Sequence, residues 1–178
     1  MKSVKEKSLK SFEVAQASFN ISNKFAAPRL VKVVISTGIG SINDKKKREL
    51  IVDRITKIAG QKSSLKPAKK SIATFKSRKG DPAGVLATLR GKKMYAFLDK
   101  LINIAIPRMR DFKGISLSAI DEMGNVTIGV REHTIFPEVG DEELRDVFGL
   151  AVTIVTTADT KDEAVVFLRS IGLPLKEK

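Results

Sequence analysis

The stretch of this chain that decides its fold is a run of mostly β-branched residues, Leu30-Val31-Lys32-Val33-Val34-Ile35-Ser36-Thr37. Such residues are enriched in strands because their side chains pack well on a pleated surface, so the run predicts a strand. Positions 31, 33 and 35 carry only valine and isoleucine, whereas the alternate positions include Lys32 and Ser36. Because successive side chains of a strand point to opposite sides, we expect a sheet with one packed face and one semi-polar face.

Further elements follow this strand along the chain. Asp44 can cap a helix with an apolar stripe of isoleucines that ends at Gly60, and Thr160 with Glu163 forms a capping box before the last helix. A third helix runs over 94–105, and we expect Pro107 to stop it. Strands are also predicted over 85–90, 126–128 and 150–157.

These elements predict the α+β class, because strands and helices do not alternate regularly. We expect a largely antiparallel sheet with helices packed on one face and the other face free to bind a partner. The whole chain, 1–178, is predicted to form a single domain. Within it, residues 1–19 are an N-terminal helix or tail, and residues 72–84 are an extended basic loop.

The charge of the chain is unevenly distributed. Its 33 Lys and Arg and 20 Asp and Glu residues give a net charge of +13. Residues 1–113 carry 27 basic and 8 acidic side chains, a net +19, whereas residues 114–178 carry 6 and 12, a net −6. From Arg54 to Gly80 there are nine basic residues and no acidic one. A polyanion is attracted to such a region, so we expect the open face of the sheet to bind RNA.

Several classes of function are disfavoured. The chain has no cysteine, which excludes disulfides and thiolate metal sites, and its single histidine, His133, cannot build a zinc site alone. We therefore expect a structural histidine and no metal or other cofactor. No apolar run is long enough to span a bilayer and the start is not a secretory signal, so we expect a cytoplasmic protein without membrane contact.

Two other patterns are weak. Gly38-Ile39-Gly40 lies between a strand and a helix, but Asn43 stands where a dinucleotide-binding motif has its third glycine. A turn that needs the backbone freedom of glycine is the better interpretation. Asp141, Glu142, Glu143 and Asp146 form an acidic cluster that is typical of helix caps and solubilising charges, although it could also bind metal or a basic protein.

A set of motifs adds a family resemblance. Their order along the chain is Thr37-Gly38-Ile39-Gly40, Gly60-Gln61-Lys62, Ala68-Lys69-Lys70-Ser71-Ile72-Ala73-Thr74-Phe75-Lys76, Thr88-Leu89-Arg90-Gly91, Ile106-Pro107-Arg108-Met109-Arg110-Asp111-Phe112-Lys113-Gly114, Gly129-Val130-Arg131-Glu132-His133 and Ile135-Phe136-Pro137-Glu138. In order and spacing, from about residue 19 onward, the sequence resembles ribosomal protein five of the large subunit, in its bacterial form. The resemblance implies a structural protein of the ribosome, not an enzyme, that binds 5S rRNA and helps attach it in the central protuberance.

The resemblance also implies site residues and partners. The candidate contacts to 5S rRNA are Ser36, Gln61, Lys66, Lys69, Lys70, Phe75, Thr88 and Arg90. The candidate loop that touches tRNA in the P site consists of Lys76, Ser77, Arg78, Lys79, Gly80, Asp81 and Pro82, where the charge of Asp81 weakens a purely electrostatic account. Other expected partners are large-subunit rRNA and proteins, and small-subunit protein thirteen across an inter-subunit bridge.

Two rival hypotheses remain open. The first is a generic RNA-binding chaperone that uses the basic half of the chain without a defined target. The second is an enzyme with a dinucleotide site at residues 38–43.

Overall fold

The computed structural model describes residues 3–19, 21, 23–42, 44–110, 112–139 and 147–176. Within these residues five strands form one sheet in the order β2-β3-β1-β5-β4. The strands are β1 (Leu30–Gly38), β2 (Ser64–Pro67), β3 (Pro82–Leu89), β4 (Val126–Val130) and β5 (Leu150–Thr156). The helices are α1 (Val4–Leu9), α2 (Ser11–Phe19), α3 (Lys45–Ala59), α4 (Gly91–Lys100) and α5 (Lys161–Ser170). The predicted α+β class with an antiparallel sheet is confirmed.

The chain forms two compact units. The first unit consists of Met1–Val33, Arg90–Ile128 and Thr153–Lys178, and the second unit consists of Val34–Leu89 and Gly129–Val152. The prediction of a single domain over 1–178 stays a prediction. The acidic cluster at residues 141–146 and the last residue of the glycine motif, Asn43, lie outside the described residues.

The second unit is built on α3, which packs against β3. Asp44 caps the helix, since its carboxylate accepts a hydrogen bond of 2.9 Å from the Lys46 N–H, and Gly60 ends it in the left-handed conformation at φ 59°. Both ends are therefore where the sequence predicts them. Buried apolar side chains of α3, β1 and β3 form the core, namely Ile35, Ile51, Ile55, Ile58, Val85, Ala87 and Leu89. One face of these strands is thereby covered by the helix.

In the first unit, α2 packs against α5 and α1 against α4. The Asp99 carboxylate on α4 accepts a hydrogen bond of 2.7 Å from the Val4 N–H at the start of α1. Thr160 caps α5 through a 3.3 Å hydrogen bond from the Glu163 N–H, as predicted. The predicted N-terminal helix over 1–19 is divided into the two helices α1 and α2.

The chain does not leave its helical path at Pro107, contrary to the prediction. α4 ends at Lys100, a π-helical turn follows at Leu101–Ala105, and a 3-10 helix then spans Ile106–Arg108. Pro107 lies in the first turn of that 3-10 helix, where a missing backbone N–H costs little. Apolar spacing alone does not distinguish a regular α-helix from these tighter and wider turns.

The alternation in β1 also departs from the prediction at its start. Val33 and Ile35 are fully buried as expected, but Val31 is 41% exposed and Leu30 is buried instead. The alternation of buried and partly exposed residues is therefore regular only from Val33 onward. Burial at the end of a strand depends on which elements cover it, and a period of two does not predict that.

Candidate nucleic-acid interface

β2 and β3 pair antiparallel, and their hairpin continues beyond both strands into an arm formed by residues 68–81. Ala68 donates to the Asp81 carbonyl at 2.8 Å and accepts from the Gly80 N–H at 3.0 Å. Farther out, Ile72 and Ser77 exchange two backbone hydrogen bonds of 3.0 and 3.3 Å. The segment 72–84, which the sequence assigns to an extended basic loop, therefore includes hydrogen-bonded backbone and, from Pro82, the first residues of β3.

The tip of the arm is a 3-10 turn at Ala73–Phe75. The Phe75 side chain is 75% exposed there. Lys76 follows at φ 50°, and it is the one non-glycine residue with a positive φ in the part of the chain that the structure describes. A left-handed backbone is unfavourable for a residue with a side chain and is often found at functional sites.

The side chain of Ser71 joins the two sides of the arm, and that of Asp81 stabilises the turn on the returning side. The Asp81 carboxylate accepts a 2.8 Å hydrogen bond from the Arg78 N–H, and the Ser71 hydroxyl accepts one of 2.9 Å from the Lys79 N–H. Sequence reasoning treated Asp81 only as an unfavourable charge at the loop tip. The signal that it missed is Asp81 directly after Gly80, since aspartate and glycine together are typical of a tight turn.

The face of the second unit that α3 leaves open contains two of the candidate contacts, and a third is bonded to one of them. Ser36 on β1 and Thr88 on β3 are half-buried and alternate with the buried Ile35 and Leu89, so they lie on the open face. The Gln61 amide, just after α3, donates a 3.1 Å hydrogen bond to the Thr88 carbonyl. β1 and β3 are neighbours in the sheet, so the fold brings these polar groups together.

The basic residues of this region are exposed and available to a partner. Of the nine between Arg54 and Gly80, Lys57 pairs with Asp53 at 2.8 Å on the surface of α3. Seven others are exposed and form no ion pair with any residue that the structure describes, namely Lys62, Lys66, Lys69, Lys70, Lys76, Arg78 and Lys79. Positive charge that no carboxylate neutralises is what a phosphate backbone requires.

The comparisons with known proteins concern nearly the whole chain. Residues 23–78 match the sequence model of a family described as ribosomal protein L5, and residues 82–175 match the model of the C-terminus of the same ribosomal family. The chain belongs to the ribosomal protein L5 family.

Curated members of the L5 family agree with this assignment. The large ribosomal subunit protein uL5 of Halothermothrix orenii is 45% identical, and the alignment covers 89% of each chain. The uL5 protein of Desulfatibacillum aliphaticivorans is 48% identical, and the alignment covers 91% of each chain. The uL5 protein of Syntrophotalea carbinolica is 46% identical, and the alignment covers 97% of this chain and 96% of the relative. The resemblance to the bacterial form is therefore confirmed.

Membership of the L5 family decides the general function. The protein is a structural component of the large ribosomal subunit, its partners are ribosomal RNA and ribosomal proteins, and it works in the ribosome in the cytoplasm. It is not an enzyme, as the sequence predicts. Separately, no helix in the described part of the chain has the length and apolar character needed to cross a membrane.

Two further candidate contacts of this L5 protein are exposed. Arg90 belongs to the first unit, where it is exposed and occupies the position before α4. Phe75, assigned by resemblance to 5S rRNA, lies at the tip of the arm next to Lys76, which is assigned to tRNA. The division of the arm residues between two RNAs therefore stays a prediction.

The remaining motifs have structural explanations. Neither Gly38 nor Gly40 has a left-handed backbone, and added Cβ atoms would meet no steric conflict, so the predicted need for glycine there is not borne out.

His133 is 2% exposed, and its ring stacks on Phe148 with centroids 4.1 Å apart, so it is a packing residue as predicted. Among the described residues, no group of three His, Asp or Glu side chains could hold a metal ion.

Proposed function

We propose that this L5 protein binds 5S rRNA with the open face and the arm of its second unit and helps attach it in the central protuberance. The observation that carries the proposal is a set of exposed lysines and arginines on and beside a hydrogen-bonded hairpin, without an ion pair to any residue that the structure describes. Lys66, Lys69 and Lys70 neutralise phosphates, while Ser36, Gln61 and Thr88 offer hydroxyl and amide groups to ribose and phosphate oxygens.

The geometry favours a defined RNA target over a generic chaperone. A chaperone needs only accessible charge, whereas here the arm is ordered by backbone hydrogen bonds and by the side chains of Ser71 and Asp81. Gln61 is likewise held against Thr88. Fixed positions for donors and cations discriminate among RNA shapes, which mobile charges do not.

The test is a competition between labelled 5S rRNA and unlabelled duplex RNA at moderate salt. We expect wild-type protein to prefer 5S rRNA by at least about 1000-fold, the lower end of the range typical of specific over non-specific nucleic-acid binding. Total binding should also weaken steeply as salt rises, because phosphate contacts release counterions. Equal competition by the duplex would favour the generic chaperone.

We propose further that the arm contacts tRNA in the P site through residues 76–82. The arm carries Lys76, Arg78 and Lys79 as exposed cations near a tip that projects beyond β2 and β3. Asp81 does not oppose this role directly, because its carboxylate is bonded to the Arg78 N–H within the turn.

Replacing Arg78 and Lys79 by glutamine should weaken the P-site affinity of reconstituted ribosomes for tRNA about tenfold, since up to two phosphate contacts are lost. Binding of the free protein to 5S rRNA should change little. The matched control is Lys161→Gln with Arg169→Gln on α5, which removes the same charge elsewhere. Unchanged P-site affinity in the Arg78 and Lys79 variant would rule out the contact.

The acidic later part of the chain is proposed to meet small-subunit protein thirteen across an inter-subunit bridge. The support is its net charge of −6 over residues 114–178, which suits a basic partner. Titration of the isolated protein with small-subunit protein thirteen decides the matter, and absence of binding at low salt contradicts it.

A further inference from the structure

The proposed contacts do not use Phe25, an exposed phenylalanine in the turn that joins α2 to β1 in the first unit. Its side chain is 77% exposed. The backbone beneath the ring is ordered, because the Asn23 side-chain oxygen accepts a 2.9 Å hydrogen bond from the Phe25 N–H and the Asn23 carbonyl accepts one of 3.0 Å from the Ala26 N–H. An asparagine that bonds the backbone two residues later is typical of a tight turn. The ring therefore stands on a turn of fixed shape.

The base of this turn is tied to the rest of the first unit. Ala27 and Pro28 are buried, and the Pro28 carbonyl accepts a 3.3 Å hydrogen bond from the Ser11 hydroxyl on α2. The Arg29 N–H donates to the Thr157 hydroxyl oxygen at 2.9 Å, and the Arg29 carbonyl accepts from the Thr157 N–H at 2.9 Å. A partner that binds the ring and the arginine therefore orders little further chain, which keeps the entropy cost of binding low.

The charge of this part of the chain favours an anionic partner. The Arg29 side chain is exposed and forms no ion pair with a residue that the structure describes. Residues 14–43 include three basic residues and no acidic one. The α-carbons of Phe25 and Arg29 are at most about 14 Å apart, because an extended residue spans about 3.6 Å. A polyanion can therefore approach both side chains without repulsion from this segment.

RNA offers a partner for the ring as well as for the charge. Unpaired bases of folded RNA stack on phenylalanine side chains, and this stacking requires no particular base. The protein is a component of the large ribosomal subunit, and its partners are ribosomal RNA and ribosomal proteins. An apolar pocket of a protein could also hold the ring, but the unbalanced positive charge of residues 14–43 favours RNA.

We propose that Phe25 stacks on an unpaired base of ribosomal RNA and that the Arg29 guanidinium bonds a phosphate next to that base. This contact differs in kind from those proposed on the second unit, because it selects a nucleotide in a loop or bulge over a paired one. The base can belong to 5S rRNA or to large-subunit rRNA, and the chemistry is the same in both. The inference rests on membership of the large subunit, and only its 5S outcome rests also on the proposed 5S binding.

The test titrates the full-length protein with 5S rRNA and, separately, with protein-free large-subunit rRNA. Phe25→Ala should lower the affinity for one of these RNAs about tenfold or more, the usual loss of one stack between a base and an aromatic side chain. The slope of log K against log salt should not change, because no phosphate contact is removed. Phe25→Tyr should stay within about twofold of wild type, whereas Phe25→Leu should lose most of what Phe25→Ala loses, because leucine has no flat ring.

Arg29→Gln tests the phosphate contact. It should weaken binding of the same RNA and lower the salt slope by about 0.7 to 0.9, as expected for one phosphate. The matched control is Met123→Ala, since Met123 is 73% exposed on another turn of the first unit but follows Asp121 and Glu122. The control should bind both RNAs as wild type. A melting curve checks that each variant is folded.

A loss confined to one RNA identifies the source of the base. The proposal is overturned if Phe25→Ala binds both RNAs as wild type, if Phe25→Leu binds as well as Phe25→Tyr, or if Met123→Ala loses as much affinity. Equal losses on both RNAs would show a contact without a defined base and would also overturn it. If wild-type protein fails to bind 5S rRNA, the 5S proposal is rejected, whereas the titration with large-subunit rRNA still decides this inference.

Discussion

Replacing Lys66, Lys69 and Lys70 together by glutamine is expected to weaken 5S rRNA binding about 100-fold near physiological salt. Each lysine that neutralises a phosphate releases a counterion, so three lost contacts should also lower the slope of log K against log salt by about 2 to 3. All three side chains are exposed and unpaired among the described residues, so folding stability should change little. Filter binding or fluorescence anisotropy over a range of salt concentrations measures both quantities.

The matched control replaces Lys5, Lys10 and Lys24, which are equally exposed but lie in the first unit. It removes the same three charges, so any loss common to both variants reflects net charge alone. If the control weakens binding as much as the triple variant of Lys66, Lys69 and Lys70, the local role of these three lysines is wrong. A reduced affinity without a reduced salt slope would argue that these lysines do not contact phosphate.

Phe136→Ala should lower the free energy of unfolding by about 3 to 5 kcal/mol, the usual cost of emptying a buried aromatic site. Phe136 is fully buried in the second unit. It accepts a 3.2 Å hydrogen bond from the Val139 N–H in the adjoining 3-10 turn, and that turn, Pro137–Val139, packs against α3. Loss of the ring leaves a cavity next to the turn that packs on α3. Urea unfolding measures the change.

Phe75→Ala provides the matched comparison, since it deletes the same ring from a site that is 75% exposed. Its effect on unfolding should be within about 0.5 kcal/mol, as for most surface substitutions. The effects on RNA binding should be reversed. Phe75→Ala should lower the affinity for RNA, whereas the folded fraction of Phe136→Ala should bind RNA as wild type does. Similar losses of stability in both variants would show that the tip of the arm is packed more tightly than its exposure indicates.

The elements that sequence reasoning predicted well are those governed by local rules. α3 begins at its Asp44 cap and ends at Gly60 because capping chemistry depends on neighbouring residues only. Most of β1 follows from β-branched composition. The exposure of Val31 was missed, because burial at the end of a strand depends on which other elements cover it.

The candidate site was predictable in composition but not in geometry. Nine basic residues without an acid between Arg54 and Gly80 indicate a polyanion partner from the sequence alone. The sequence does not show that Ile72 pairs with Ser77, or that Asp81 bonds the Arg78 N–H. Those contacts turn a predicted loop into an arm, and they depend on backbone conformations that composition does not specify. The sequence also does not predict the left-handed backbone of Lys76, because that conformation is unfavourable for a residue with a side chain.

The backbone ladder of the arm has a consequence for ribosome assembly. Segments that fold only on contact with RNA lose conformational entropy at that moment, which lowers their affinity for a given contact area. Here the paired residues 68 with 80 and 81, and 72 with 77, have given up that freedom when the protein itself folds. Encounter with RNA can then proceed as the docking of a preformed shape, without a coupled folding step.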